Sequence, residues 1–277
     1  MAKYNRINWQ TGMEVTPEVL IDSDNFQIEQ QNIIGRLRAM PYYGLLPESD
    51  FNADIRMNGN HLSITNLVIQ AITSQGEIID INGQNEEYKI DLSQYNDSTL
   101  YVALNYNDTA FPEKDTFCVT ADPAEETSAV VIAKISDNIV DTNYIPPCVS
   151  INSHSRLLEN FEDIKQKIEY IMTQVEGQDR YKSIFLHLLL LELELKNYSA
   201  FETPANLFLA VKKMASIFKF TVNDVPGNIE RLSDEIYCHT EIYDMIYVLL
   251  DALCEMEEMT QAPIEAPKIQ KIQIAVK

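Results

Sequence analysis

The hydrophobic period of this 277-residue chain changes near residue 150. Before that point, runs rich in Ile, Val, Leu and Thr occupy 55–64, 66–73, 77–81, 99–105 and 130–135. Asn-Gly, Gln-Gly and Asn-Asp pairs punctuate them, as tight turns between antiparallel strands require. Asn58-Gly59 reads as a type I′ hairpin turn between Ile55-Arg56-Met57 and His61-Leu62-Ser63-Ile64. Short strands at this spacing predict an antiparallel β-sandwich over residues 1–150.

Beyond residue 150 the period lengthens to about 3.5. Leu157, Phe161, Ile164, Ile168, Ile171 and Val175 recur at alternating spacings of four and three, a heptad seam on one helix. Gly177 ends it. A second helix over 181–198 is apolar on most faces and needs cover on several sides. Thr203-Pro204 pairs an N-cap with proline at the first helical position, opening a third helix that carries Leu207, Val211, Met214 and Phe218. A fourth places Ile229, Leu232, Ile236, His239, Tyr243, Ile246, Leu250 and Leu253 on one seam. Short connections predict a four-helix bundle over 151–262. The fold class is therefore α+β: an N-terminal antiparallel β-sandwich, a C-terminal four-helix bundle, and a tail over 263–277. In the tail, Pro263 and Pro267 discourage continuation of the last helix. Lys268, Lys271 and Lys277 occur there without an acid after residue 267, and Ile272, Ile274 and Val276 alternate as in a strand.

Composition narrows the function. The formal net charge of −21 repels nucleic acid and anionic headgroups, so neutral or basic protein surfaces are the expected partners. The same charge also serves simple solubility. Cys118, Cys148, Cys238 and Cys254 include no C-x-x-C pair, which argues against a zinc ribbon or a disulfide framework. The first residues hold no apolar signal core. The run 184–191 is interrupted by His187 and is too short to cross a bilayer, so a cytoplasmic protein without membrane insertion is expected. No G-x-S-x-G, P-loop, H-E-x-x-H or G-x-G-x-x-G occurs, and no catalytic, cofactor-binding or metal-ligating residue is assigned. His239 beside Cys238 is the seed of a competing enzyme reading; a packed histidine is the reading preferred. His154, within Ser153-His154-Ser155, is expected to cap the helix that follows.

Two stretches carry a resemblance. Trp9-Gln10-Thr11-Gly12-Met13-Glu14-Val15-Thr16-Pro17 resembles the W-x-E-G-M-x-L-x-P-x-H-F opening of the TssK family of type VI secretion baseplate proteins. Tyr144-Ile145-Pro146-Pro147-Cys148-Val149-Ser150-Ile151 resembles that family's Y-I-P-P-C-L-x-I segment between shell and helical domains. Pro41-Tyr42-Tyr43-Gly44-Leu45 matches an aromatic-glycine turn more loosely. Thr11 replaces the usual acid, and Val19 and Leu20 stand where His and Phe are expected. The resemblance implies a structural homotrimer whose helical bundles pack about a threefold axis and whose β domains bind the wedge proteins TssF and TssG. Trp9, Gly12, Met13, Pro17, Tyr144, Ile145, Pro146, Pro147 and Cys148 are its expected interaction residues. It covers the shell and helical domains only, whereas a longer TssK continues into a head that engages the membrane complex. The tail is expected to meet the membrane-complex protein instead, at the inner-membrane-docked baseplate. A phage-tail-like receptor-binding or adaptor protein is the alternative. Independently of any family, Pro146-Pro147 fixes φ and predicts a stiff joint between sheets and helices.

Overall fold

The computed structural model describes residue 7 and residues 10–39, 42–95, 97–106, 116–123, 129–222 and 225–261. The described residues form an α+β chain with two antiparallel sheets. In the first, β3 (His61–Ile72) is central; β4 (Ile78–Asp91) lies on one side, and β2 (Asn52–Asn58) and the short β1 (Gly44–Leu45) share the other. In the second, β5 (Thr99–Asn105) lies between β6 (Phe117–Thr120) and β7 (Ala129–Ser136), and β8 (Ile139–Val140) pairs with β7.

Turn chemistry sets the registers. Asn58 pairs with His61, so the β2–β3 loop is Gly59-Asn60. Gly59 takes φ +61, and Asn60 is not among the residues of positive φ. Glycine at the first central position alone is the type II′ pattern, one residue along from the expected type I′ turn. The type I′ signature sits instead between β7 and β8, where Asp137 and Asn138 both have positive φ, 51° and 62°. The expected break between residues 64 and 66 is a bulge inside one strand. Asn66 takes φ +54 and the β3–β4 register shifts between Thr65 and Leu67. The buried set changes there from Leu62 and Ile64 to Leu67, Ile69 and Ala71, so one extra residue keeps both halves of β3 facing the core.

Two expectations need correction. First, residues 1–150 are not all β: α1 spans Pro17–Ala39. Second, the expected fourth helix is two helices, α5 (Gly227–Asp234) and α6 (Ile242–Gln261). The seam spacing runs unbroken from Ile229 to Leu253 because Ile236 and His239 keep it across the break, but Ile236 is 81% exposed and His239 is half-buried on contacts outside the helix. Glu235 leaves the helix at φ −63°, ψ 146°. The other helices match their patterns. α2 (Ser155–Val175) buries all six seam residues and is followed by Gly177 at φ +79. After α3 (Lys182–Lys196), α4 (Pro204–Thr221) is capped by the Thr203 hydroxyl, which accepts from Asn206 N at 3.2 Å. One contiguous set of buried residues runs from β3 and β5 through Ile145 and Cys148 to α2, α4 and α6.

Candidate interaction surfaces and the joint between sheets and helices

The segment after β8 is built into the first sheet. Leu45 N donates to Pro147 O at 2.7 Å, and Val149 N donates to Leu45 O at 3.0 Å, making a parallel bridge between Leu45 and Cys148. Leu45 meanwhile pairs with Ala71 of β3. Gly44 permits this approach: at φ +115, a Cβ there would stand 1.9 Å from Pro147 O. Tyr144, Ile145, Pro146, Pro147 and Cys148 are all buried. Their side chains are used inside the chain, and the two prolines stiffen a joint that is itself core. Burial pushes the Cys148 thiol far up in pKa, so it stays protonated.

Residues 235–241 close the joint from the helical side. His239 Nε2 lies 2.7 Å from Tyr43 O, and His239 Nδ1 lies 3.0 Å from the Tyr237 hydroxyl. A carbonyl only accepts, so Nε2 carries a hydrogen, and in the neutral ring Nδ1 accepts from the Tyr237 hydroxyl. Burial favours that neutral form, lowering the ring's pKa in spite of the Tyr43 hydrogen bond. Tyr42, Tyr43 and Tyr237 surround it at centroid distances of 5.3, 5.2 and 5.9 Å. Tyr144 donates to Thr240 O at 3.0 Å. Glu241 accepts from the Tyr101 hydroxyl and from Lys134 Nζ at 2.7 Å, tying β5 and β7 to the start of α6. Both nitrogens of His239 are thus engaged structurally. Cys238 is exposed, with its Sγ 3.3 Å from Thr240 Oγ1. The enzyme reading loses its base, and no group of three or more potential metal ligands occurs among the described residues.

His154 departs from expectation. It occupies the N-cap position of α2 but makes no side-chain cap hydrogen bond, and its Nδ1 is buried without a partner. Ser150 and Ser153 form the local capping box instead, one turn earlier.

The opening segment is a separate feature. Trp9 lies outside the described residues, as does the tail 263–277. Gly12 takes φ +87 in a turn closed by Met13 N on Gln10 O at 3.1 Å, and Met13 is exposed. Pro17 is exposed and begins α1, where the Thr16 hydroxyl accepts from Val19 N at 3.4 Å.

Two apolar surfaces stand out. On α3, Leu186, Leu190 and Leu193 are 62%, 58% and 49% exposed and follow one another at spacings of four and three. They flank a groove of about 840 Å³ between α3 and α4, lined by Leu190, Leu209, Tyr198 and Ile217. The opposite face of α3 packs Ile184, Leu188, Leu191 and Leu195 into the core, so the helix carries two apolar stripes. The other surface is α1, none of whose described residues is buried.

This architecture superposes on a chain of a type VI secretion system TssK-TssF-TssG baseplate subcomplex with a TM-score of 0.64, covering 93% of this chain and 100% of that one. The chain has the TssK fold. A crystal structure of TssK matches with a TM-score of 0.60 over 91% of this chain and 72% of that one. TssK of the EAEC type VI secretion system, bound to a nanobody, matches with a TM-score of 0.57 over 86% and 68%. Identity to each is 13%, so the TssK fold is shared with little of its sequence. No protein-family model and no curated protein sequence matches the chain. Sequence reasoning found the junction of this TssK fold but missed β1 and Tyr43 as its partners. The signal available was Tyr43-Gly44, a glycine beside aromatic residues where two backbones meet. It also missed α1.

Proposed function

We propose that this chain is a structural subunit of a type VI secretion baseplate, acting as a homotrimer bound to TssF and TssG. The observation that carries this is the fold shared with TssK over 91% of the chain and with a chain of a TssK-TssF-TssG baseplate subcomplex over 93%. The role is one of assembly rather than catalysis, because the residues of its most distinctive motif, Tyr144 to Cys148, are used as an internal joint. The second apolar stripe of α3 supports self-association: three leucines in heptad order on an outer face suit a neighbouring helix better than water. The sheets are the side on which TssF and TssG bind.

α6 starts where Glu241 meets Lys134 of β7 and ends where Met259 O and Thr260 O accept from Arg180 and Gln178. Twenty helical residues span about 30 Å. Gln261, the last described residue, therefore lies at the end of α6 remote from Lys134. The basic sequence 268–277 beyond it suits an acidic surface of the membrane-associated complex. The test is co-expression of the chain with TssF and TssG of the same secretion system, followed by size exclusion. Co-elution of all three is expected. A chain that elutes alone while TssF and TssG elute together contradicts the reading.

A further inference from the structure

The chain holds two Asn-Gly pairs, Asn58-Gly59 and Asn82-Gly83. This dipeptide is chemically labile wherever the backbone is free to turn. Glycine has no Cβ to shield its amide nitrogen, so that nitrogen can reach the carbonyl carbon of the Asn side chain. The fold treats the two pairs differently. Asn58-Gly59 lies at the tip of the β2–β3 hairpin. The ladder ends at Asn58 and His61, so the Gly59 amide is outside it. Asn58, Gly59 and Asn60 are all exposed. A Cβ on Gly59 would meet nothing within 4 Å, so the peptide has open space in which to rotate. Asn60 O accepts from Leu92 N at 2.8 Å, which anchors the loop only after Gly59. Asn82-Gly83 lies inside β4 instead. Asn82 pairs with Val68, and Gly83 with Leu67. Gly83 is buried, and a Cβ there would stand 3.1 Å from the Tyr88 hydroxyl and 3.3 Å from Leu67 O.

We infer that Asn58 is a site of spontaneous backbone rearrangement to isoaspartate, selected over Asn82 by the fold. The Gly59 nitrogen attacks Asn58 Cγ. The N–Cγ bond forms, the Cγ–NH2 bond breaks, and ammonia leaves with the Gly59 amide hydrogen. Water then opens the cyclic imide. Cleavage of the new N–Cγ bond gives aspartate at 58. Cleavage of the original peptide bond gives isoaspartate, whose backbone runs through Cγ and is one methylene longer. No oxidant, metal or enzyme is needed. That methylene adjoins the two-residue turn Gly59-Asn60, whose length sets the pairing of its strands. β2 has little else to hold it. Among the described residues only β3 pairs with it, and its register already shifts between Asn52 and Asp54. Ile55 and Met57 are its partly buried anchors on the core. Isoaspartate at 58 therefore loosens β2 from its hairpin end, whereas aspartate adds a charge and keeps the turn.

Ageing of the purified full chain at mildly alkaline pH, folded and in concentrated urea, tests the site. Cleavage after Glu77 places Asn58 and Asn82 on separate peptides, and mass spectrometry with electron-transfer fragmentation scores asparagine, aspartate and isoaspartate at each. In the folded chain Asn58 is expected to convert at least about tenfold faster than Asn82, whose attack waits on opening of the β3–β4 ladder. In urea the two are expected to convert at similar rates. Equal rates in the folded chain overturn the inference. So does the same rate difference persisting in urea, which traces it to sequence rather than fold. Hydrogen exchange reads the consequence in the isoaspartate fraction, isolated by anion exchange, beside Asn58→Asp. Exchange over 52–58 is expected to rise in the isoaspartate form and to stay at the parental level in Asn58→Asp. Equal exchange in the two overturns the loosening of β2.

Discussion

His239 and Tyr43 are 196 residues apart in the chain, yet the imidazole Nε2 lies 2.7 Å from the Tyr43 carbonyl oxygen. That contact joins the strand-leading segment 42–45 to the break between α5 and α6. Replacing His239 with Phe keeps the ring volume but leaves the Tyr43 carbonyl and the Tyr237 hydroxyl without their partner. A loss of about 2–4 kcal/mol in unfolding free energy is expected, from unpaired buried polar groups together with imperfect packing. Urea denaturation checks it. A variant as stable as the parent would show that the contact holds nothing together.

Gly44 separates close approach from backbone strain. Gly44→Ala places a Cβ 1.9 Å from Pro147 O at φ +115, so β1 and the 144–149 segment must part. A loss of about 3 kcal/mol or more is expected, with the thiol of Cys148 becoming reactive to a maleimide in the folded state. Gly59→Ala is the control. Its φ is also positive, but nothing lies within 4 Å of the added carbon. It is expected to cost about 1 kcal/mol and to leave Cys148 protected.

What the sequence made legible follows from how far a residue's reasons lie along the chain. The α2 seam and the Thr203-Pro204 start of α4 depend on neighbours within one turn, and both were readable. Thr16-Pro17 is the same signal as Thr203-Pro204, and it opens α1. It was overlooked because the surrounding 150 residues read as strands, and because Ser23 and Gln30 interrupt the apolar pattern of that helix. The expected fourth helix runs through its break because Ile236 and His239 keep helical spacing there, although Ile236 points to solvent and His239 serves Tyr43. The joint at Tyr144 to Cys148 was legible as a stiff segment. That it is buried depends on Gly44 and Leu45, a hundred residues earlier, and no local pattern reports that.

Acid is expected to weaken the fold through His154. Burial pushes its pKa down to about 4, with a smaller contribution from Arg156. The unfolded chain takes up the proton near pH 6.5, whereas the folded chain resists it. Stability from this group is therefore full above about pH 6.5 and is lost as pH falls toward 4. His239, lowered by burial as well, acts in the same direction. Denaturation midpoints measured from pH 7.5 to 4.5 are expected to fall, with a shallower slope in His154→Asn. Identical slopes would remove His154 from the account.

Glu255 caps a helix that is not its own. Pro226, at the N-cap of α5, offers no side-chain acceptor, and the Glu255 carboxylate on α6 accepts from Asn228 N at 2.9 Å and Ile229 N at 3.1 Å. Glu255→Ala is expected to cost about 1–2 kcal/mol and to raise hydrogen exchange across 227–234 while leaving α2 protected. Uniform protection in the variant would contradict that role.

The central claim is that this chain works as a trimeric structural subunit on TssF and TssG. Native mass spectrometry of the complex purified through a tag on TssG tests it most directly. Each copy of this chain adds 31.7 kDa. The account expects masses in which the chain occurs in threes together with both partners. A complex of TssF and TssG carrying one or two copies of the chain, or none, would contradict it.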